Sequence, residues 1–176
     1  MKNKFKFHSV VNKNVYSPAL QYLKIGEQFI EGSDAVCLFR IPKKLVFGDC
    51  NFEGYIEGEG WKKQGFFNGT TFQVENNFLR SFDSKGKDLG FLKILNQEEI
   101  NKIGIFPDFL KVFPQSDEII NKIAFNHEIL NNLCEAIGSG INKIQFVFSG
   151  EMKAIKINTE IKEIEAVLMP MRFEVN

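Results

Sequence analysis

The 176-residue sequence contains few of the side chains that build metal and redox sites, with only two histidines and three cysteines. Cys37, Cys50 and Cys134 form no CxxC pair, and His8 and His127 stand far apart in the chain. This spacing predicts no metal site and no cofactor. Cys37 and Cys134 lie in apolar runs, which predicts that both are small buried side chains.

Catalytic and phosphate-binding motifs are also missing. The glycines of 54–60 are not followed by the Gly-Lys-Ser/Thr ending that a phosphate loop requires. Glu57 and Glu59 alternate with those glycines, which favours a solvated loop over an acid/base pair. Ser139 and Ser149 have no sequence sign of an activating base. We therefore expect that the protein is not an enzyme.

The chain has neither a net charge nor a long hydrophobic run. Lysine plus arginine and aspartate plus glutamate each number 22, so the formal net charge is zero and no strong global field draws the protein to nucleic acid or membranes. No apolar run approaches the ~18 residues that a bilayer span needs. The alternating start Phe5-Lys6-Phe7-His8 is not the apolar segment of a signal peptide. The expected location is the cytoplasm.

What the chain does have is a large apolar fraction with strand patterning. Hydrophobic residues make up 44% of the sequence, including 19 phenylalanines, which predicts a substantial core. Apolar runs separated by short polar breaks predict a three-stranded antiparallel meander that ends at Pro42. The strands predicted in the first half are 4–11, 19–25, 28–30, 35–41, 70–74, 78–82 and 89–95.

Residues 48–69 are harder to interpret because they contain six glycines in 22 positions. Glycine disfavours a long helix, and a short helix around 59–64 stays open as an alternative to a loop. Further on, Asn96 and Glu99 form a capping box that predicts a short helix, and Gly104 is expected to end it.

The second half predicts one well-defined helix among strands. Asn126 is the expected N-cap of a helix over 127–137, whose apolar residues recur at spacings of three and four. Flanking apolar runs predict strands over 119–125, 144–148, 152–157 and 166–173. The helix face that includes Leu130, Leu133 and Ile137 is expected to bury against the sheet containing Phe146, Ile155 and Val167.

Three segments resemble the bacterial sliding clamp, the β subunit of the replicative DNA polymerase, and they occur in clamp order. The strand ending Met169-Pro170-Met171-Arg172-Phe173 is similar to the last strand of that family, which closes with Met-Pro-Met-Arg and an apolar residue. Phe106-Pro107-Asp108-Phe109 is similar to its Phe-Pro-Asp-Tyr connector. The segment 32–42, preceded by 19–23, is similar to the meander that carries Thr-Asp-Gly-His-Arg-Leu.

The resemblance implies an α+β, DNA-clamp-like fold of two β-α-β-β-β units with mostly antiparallel sheets and few helices. A bacterial clamp subunit has three domains, and this chain has room for about one. We therefore expect a single clamp-like domain over 1–176, with a divergent first half over 1–96, a connector over 97–116 and the second unit over 117–176. In a ring of six similar domains, such a chain is expected to form a homo-oligomer.

In the clamp family, the last strand and the aspartate-containing meander border a hydrophobic cleft that binds short hydrophobic peptides of replication proteins. The alternative is that Met169, Met171 and Phe173 are ordinary alternating core residues. Ala35-Val36-Cys37 replaces the family's Gly-His-Arg, which is a departure at this cleft. The cleft residues that the resemblance implies are Ser33, Asp34, Leu38, Met169, Pro170, Met171, Arg172 and Phe173.

Duplex DNA is a further expected partner, because clamp helices face DNA and sliding requires lysine or arginine against phosphates. The polar face of 127–137 carries no lysine or arginine. The candidates that remain are Lys62, Lys63 and Lys143. Two hypotheses follow: a clamp-like processivity accessory protein, or a regulatory or structural binding protein of phage or mobile-element origin that keeps the clamp fold without touching DNA.

Overall fold

The fold is described from a computed structural model of the 176-residue chain. No helix in the part of the chain described here is long and apolar enough to cross a membrane. The residues described are 5–11, 17–62, 66, 68–113, 123–138, 140–150 and 153–171.

Strands dominate the architecture, and every strand pairing among the described residues is antiparallel. The strands are β1 (Tyr22–Ile25), β2 (Phe29–Ser33), β3 (Cys37–Pro42), β4 (Gly54–Glu57), β5 (Thr71–Glu75), β6 (Phe78–Phe82), β7 (Asp88–Lys93), β8 (Ile144–Val147), β9 (Ile155–Thr159) and β10 (Glu165–Leu168). They form a seven-stranded sheet in the order β4-β1-β2-β3-β10-β9-β8 and a three-stranded sheet β5-β6-β7. The predicted meander β1-β2-β3 is confirmed.

The helices are short, apart from one of 11 residues. They are α1 (Lys43–Phe47), α2 (Gly58–Lys62), α3 (Gln97–Ile103), α4 (Phe109–Val112) and α5 (His127–Ile137), with 3-10 helices at Phe7–Ser9 and Pro18–Gln21. The α+β class with mostly antiparallel sheets is confirmed. The capping box of Asn96 and Glu99 is present at α3, and Asn126 caps α5 as the sequence predicts.

Two predicted strands near the beginning of the chain are wrong in part. Within 4–11 the described residues form the 3-10 helix Phe7–Ser9, because Val10 and Val11 both donate backbone N–H groups back to the carbonyl of Phe7. Within 19–25 the first residues continue the 3-10 helix that begins at Pro18, whose fixed φ suits the first helical position. Alternating apolar residues do not distinguish a strand from such a buried turn.

The main core lies between the seven-stranded sheet and a layer of helices. The 3-10 helix Phe7–Ser9 contacts both α2 and α5, so the three lie side by side over one sheet face. Phe7 stacks on Phe39 of β3 with ring centroids 5.4 Å apart, and it lies 5.1 Å from Trp61 of α2. The Trp61 indole N–H donates to the Phe5 carbonyl at 2.9 Å, which satisfies the only polar atom of that buried ring.

Helix α5 buries its apolar face as the sequence predicts. Leu133 and Ile137 are fully buried in the main core cluster, and Leu130 packs against it. Ala166 and Leu168 of β10 belong to the same cluster, whereas Val167 between them points to the opposite face of the sheet. Burial of α5 therefore uses alternate residues of the last strand, as a pleated strand requires.

Two parts of the chain repeat one arrangement of elements. In the first, β4, α2, β5, β6 and β7 follow in order, and Tyr55 of β4 forms an antiparallel bridge with Leu95 just after β7. In the second, Ala124, α5, β8, β9 and β10 follow in order, and Ala124 forms an antiparallel bridge with Met171 just after β10. The first is a β-α-β-β-β unit, and the described part of the second repeats it with the bridge at Ala124 in the position of the first strand. The short helix that the sequence left open in the glycine-rich segment is present as α2. Most of the predicted strand 119–125 lies outside the described residues.

Close approach of backbone explains one glycine of the first unit. Gly54 has φ +139°, and a Cβ there would lie 2.6 Å from the Leu95 carbonyl oxygen. Only glycine therefore allows β4 to lie this close to the chain that leaves β7.

Candidate functional site

The outer face of the seven-stranded sheet carries the connector between the two units. Phe109 of α4 is buried on Leu38 of β3 and Val167 of β10. These two side chains lie on the sheet face opposite to α2 and α5. The Arg40 guanidinium lies 4.0 Å from the centre of the Phe109 ring, a favourable cation–π position. Arg40 also donates two hydrogen bonds to the buried carboxylate of Glu31, at 2.6 and 2.9 Å. These contacts fix the connector against the sheet.

An apolar cleft opens where this connector passes the ends of β3 and β10. It encloses about 280 Å³. None of the described lining residues carries a charge, so the cleft suits apolar groups. The lining residues are Leu20, Ser33, Ala35, Val36, Cys37, Leu38, Ile105, Pro107, Val112, Val167 and Met169. We call this the apolar cleft.

Asp34 and Ser33 build the turn that forms one side of the apolar cleft. The Asp34 carboxylate accepts hydrogen bonds from the backbone N–H groups of Val36 and Cys37, at 2.9 and 2.8 Å. The buried Ser33 hydroxyl donates to the Cys37 carbonyl at 2.8 Å and accepts from the N–H of Ala35 at 3.1 Å. Ala35 has φ +76°, a strained value for a residue with a Cβ, and these bonds hold it there.

The last strand forms the facing side. The Met169 N–H donates to the Val36 carbonyl at 3.0 Å, which ties the chain after β10 to the Asp34 turn. The Met169 side chain lines the cleft and is 37% exposed. Cys37 is buried beneath the turn, and burial first, then the neighbouring Asp34, raises the pKa of its thiol well above the ordinary range. The thiol therefore behaves as a small apolar group here, as predicted.

The structure brings together only part of the predicted site. Ser33, Leu38 and Met169 line the apolar cleft, and Asp34 braces its edge. Pro170 follows at the surface, half-buried. Met171 lies elsewhere: its N–H donates to Ala124 at 2.8 Å, and its side chain borders a second depression formed by 123–128. Arg172 and Phe173 lie outside the described residues.

Sequence reasoning missed much of the cleft wall. Ile105, Pro107 and Val112 come from the connector, which the sequence identified as packed but not as part of a site. Leu20 comes from the 3-10 helix before β1. One sequence feature could have identified the connector residues. They lie among prolines in an apolar run that is too hydrophobic for a free linker.

The predicted DNA-facing lysines do not gather at one place. Lys62 ends α2 and is exposed, whereas Lys143 precedes β8 at the far end of the seven-stranded sheet. Burial lowers the pKa of His8, and the positive charge of Lys62 lowers it further. Lys6 pairs with Glu135 of α5 at 2.9 Å, so these two charges cancel on the helix layer. Lys63 lies outside the described residues.

Comparison with solved structures identifies the fold. The chain matches the Bacillus subtilis DNA polymerase sliding clamp with a TM-score of 0.61 and 13% identity, covering 97% of this chain and 61% of that one. It matches the Helicobacter pylori β clamp bound to a DNA ligase peptide with a TM-score of 0.62 and 12% identity, over 96% of this chain and 62% of that one. It matches the Thermotoga maritima DNA polymerase III β subunit with a TM-score of 0.60 and 11% identity, covering 99% of this chain and 63% of that one.

No family model matches the sequence, and no curated protein sequence matches it. The protein thus has the fold of the bacterial DNA sliding clamps, at a sequence identity of 11–13% in these three comparisons. The predicted clamp-like fold is confirmed. The chain spans 61–63% of the length of these clamps.

Proposed function

We propose that the protein is a sliding-clamp-like accessory factor of DNA replication that captures short hydrophobic peptides of partner proteins in its apolar cleft. The observation that carries this proposal is an uncharged cleft of about 280 Å³ bounded by Met169 and the Asp34 turn, on a clamp fold. The solved complex of the H. pylori clamp with a DNA ligase peptide supports a peptide as the occupant. We propose no catalytic step for this site.

The chemistry of the cleft favours a few apolar anchors. Met169 is flexible and polarizable, so it adapts to side chains of different shape. The connector residues Ile105 and Val112 are exposed at the opposite wall, and they would lose contact with water when a peptide binds. A small number of buried anchors carries most of the affinity of such a contact.

Substitution of one methionine tests the proposal, with the other as its control. We expect Met169→Glu to weaken binding of the DNA ligase peptide by about tenfold or more, because a carboxylate would replace apolar contact area in the cleft. We expect Met171→Glu to leave the affinity within about twofold of the original, since Met171 is similarly exposed (45%) but borders the other depression. Fluorescence anisotropy with a labelled peptide measures both.

Equal loss in both variants would place the binding site along the whole last strand instead of in the apolar cleft. Failure of the original protein to bind the peptide at millimolar concentration would remove the proposal. Circular dichroism of each variant provides the check that the fold is intact.

Self-association is part of the proposed function. The resemblance to clamps implies a ring of several similar domains, and one copy of this chain would supply only some of them. We therefore propose that the protein forms a homo-oligomer.

A second candidate function is favoured by the charges of the helix layer. On its described residues, Lys6 and Lys62 are set against Glu59, Glu128 and Glu135, so the layer offers no excess of positive charge. Because sliding on duplex DNA depends on cations facing phosphates, this balance supports a clamp-fold protein that regulates replication partners without contacting DNA.

A further inference from the structure

The outer face of the three-stranded sheet carries aromatic side chains that are not part of the core. The inner face of this sheet supplies Phe72, Leu79 and Leu92 to the main core cluster. Because side chains alternate along a strand, Phe78 of β6 and Phe91 of β7 lie on the opposite side, where they are 37% and 64% exposed. Large apolar rings grouped on a surface in this way mark a binding site. We call the outer face of β5, β6 and β7 the aromatic face.

The rings of the aromatic face are held in a fixed row. Phe78 and Phe91 meet edge to face, with ring centroids 5.3 Å apart and an interplanar angle of 87°. In the strand register, Phe91 lies opposite Arg80 of β6. Phe82 continues the row along β6, and its ring centre lies 5.9 Å from the Arg80 guanidinium. The five residues of β6 extend roughly 17 Å, which is enough for a few nucleotides of a single strand.

The carboxylates beside these rings are occupied within the protein. Glu75 and Asp88 both accept hydrogen bonds from the Arg80 guanidinium. The Glu99 carboxylate accepts from the Lys93 ammonium at 2.7 Å. The charges of these side chains are therefore largely offset by one another, and the rings lie on a nearly neutral part of the face.

The turn between β6 and β7 adds two lysines at the Phe82 end of the row. The Asp83 carboxylate accepts hydrogen bonds from the backbone N–H groups of Lys85 and Lys87, at 2.8 and 2.9 Å, which fixes the turn. Both lysine side chains are exposed, and within the part of the chain that the structure describes neither has an ion-pair partner. Their ammonium groups can therefore contact an anionic ligand.

From the exposed rings, the occupied carboxylates and the two lysines of the turn, we propose that the aromatic face binds single-stranded DNA. Bases stack on the rings of Phe91 and Phe78, and phosphates of the same strand lie beside Lys85 and Lys87. A duplex is excluded because its bases are already stacked on one another. The choice of DNA rests on the proposed function in replication, which separates the strands of a duplex.

Substitution of one ring tests the stacking. We expect Phe91→Leu to weaken binding of a labelled oligothymidylate of about twelve nucleotides at least fivefold, because leucine keeps apolar area but has no π-face. Phe91→Tyr keeps the ring and should bind within about twofold of the original. The matched control is Leu110→Ala on α4, which changes an equally exposed side chain (65%) and should also stay within about twofold. Fluorescence anisotropy at low salt measures all of these affinities.

Unchanged affinity in Phe91→Leu would overturn the inference, because an apolar contact of the kind that proteins make does not need the ring. Failure of the original protein to bind the oligothymidylate at about 1 mM would overturn it as well.

Neutralisation of the turn tests the phosphate contacts. With Lys85→Gln and Lys87→Gln combined, we expect about tenfold weaker binding at low salt, and a slope of log affinity against log salt that is shallower by about 1.4. The control combines Lys143→Gln with Lys162→Gln, two exposed lysines of the second unit, and should stay within about twofold. Because both double variants lose the same charge, an equal loss of affinity would contradict a site at the turn.

The choice of nucleic acid distinguishes stacking from general attraction to phosphates. A duplex of the same length should bind at least about tenfold more weakly than the single strand, since the rings cannot reach its bases. Equal binding of the duplex would refute the stacking, and tighter binding of an oligouridylate would refute the assignment to DNA.

Peptide binding measured on the same variants separates this inference from the proposed peptide capture. Phe91, Lys85 and Lys87 are not among the residues that line the apolar cleft, so the affinity for the DNA ligase peptide should stay within about twofold. Loss of single-strand binding with intact peptide binding supports a separate site on the aromatic face. Intact single-strand binding in a protein that does not bind the peptide removes only the peptide proposal.

Discussion

Asp34 shapes the apolar cleft without lining it. Its carboxylate is occupied by two backbone N–H groups of its own turn, so it serves to hold the backbone instead of contacting a ligand. The family resemblance places an aspartate at this position, and the hydrogen bonds supply a physical reason for it: a carboxylate accepts strongly from neighbouring N–H groups. Ala35, in its left-handed conformation, depends on this support.

We therefore expect Asp34→Ala to lower the free energy of unfolding by about 1–2 kcal/mol, since two N–H groups lose their partner in a partly buried turn. Asp34→Asn keeps an acceptor oxygen and should cost less than half as much. Urea denaturation followed by fluorescence measures both. Equal losses would mean that the charge, and not the hydrogen bonding of the turn, stabilises this region.

Among the elements, the connector helix α4 contributes Val112 to the wall of the apolar cleft. It is only four residues long, and Asp108 caps its start by accepting from the N–H of Leu110 at 3.1 Å. A helix this short is not stable by itself, so its position depends on the packing of Phe109 and on Arg40. Arg40 in turn is oriented by Glu31, whose buried carboxylate also accepts from Lys24 at 3.1 Å.

Substitution of Arg40 should loosen this connector selectively. We expect Arg40→Gln to destabilise the fold by about 2 kcal/mol, because the buried Glu31 carboxylate loses its two hydrogen bonds from the guanidinium. Amide hydrogen exchange should accelerate over 108–113 and stay unchanged in α5. Arg40→Lys keeps the charge but not the planar fork, so it should recover only part of the protection. Uniform acceleration across both elements would contradict a local role.

At the scale of the whole molecule, the charge of the helix layer determines how strongly the protein attracts duplex DNA. A layer whose described charges balance gives little attraction for phosphates. We therefore expect that the proposed peptide capture does not depend on contact with duplex DNA.

Salt dependence is the measurement that decides on DNA contact. We expect the affinity for a duplex to fall by less than about tenfold between 50 and 200 mM salt, whereas six to ten phosphate contacts would cost about a thousandfold or more. Anisotropy of a labelled duplex measures this dependence at several protein concentrations. A steep loss would show that lysines supply phosphate contacts, and it would favour a sliding clamp over the second candidate function.

Local signals along the chain determined several elements correctly. Asn126 and the three-four spacing after it defined α5, and the Asn96–Glu99 capping box defined the start of α3, because caps and periodicity act within a few residues. The polar breaks of the meander located β1, β2 and β3 to within a few residues. The resemblance of three short segments was sufficient to predict the clamp-like fold that the structural comparisons confirm.

The tertiary structure alone decided which of these residues form a site. Met169 and Met171 are both methionines and stand two residues apart. The N–H of Met169 donates to the Val36 carbonyl beside the cleft, whereas the N–H of Met171 donates to the Ala124 carbonyl away from it. The connector wall also follows from which elements become neighbours. Such neighbours are far apart in the sequence, and packing energy, which no local pattern encodes, brings them together.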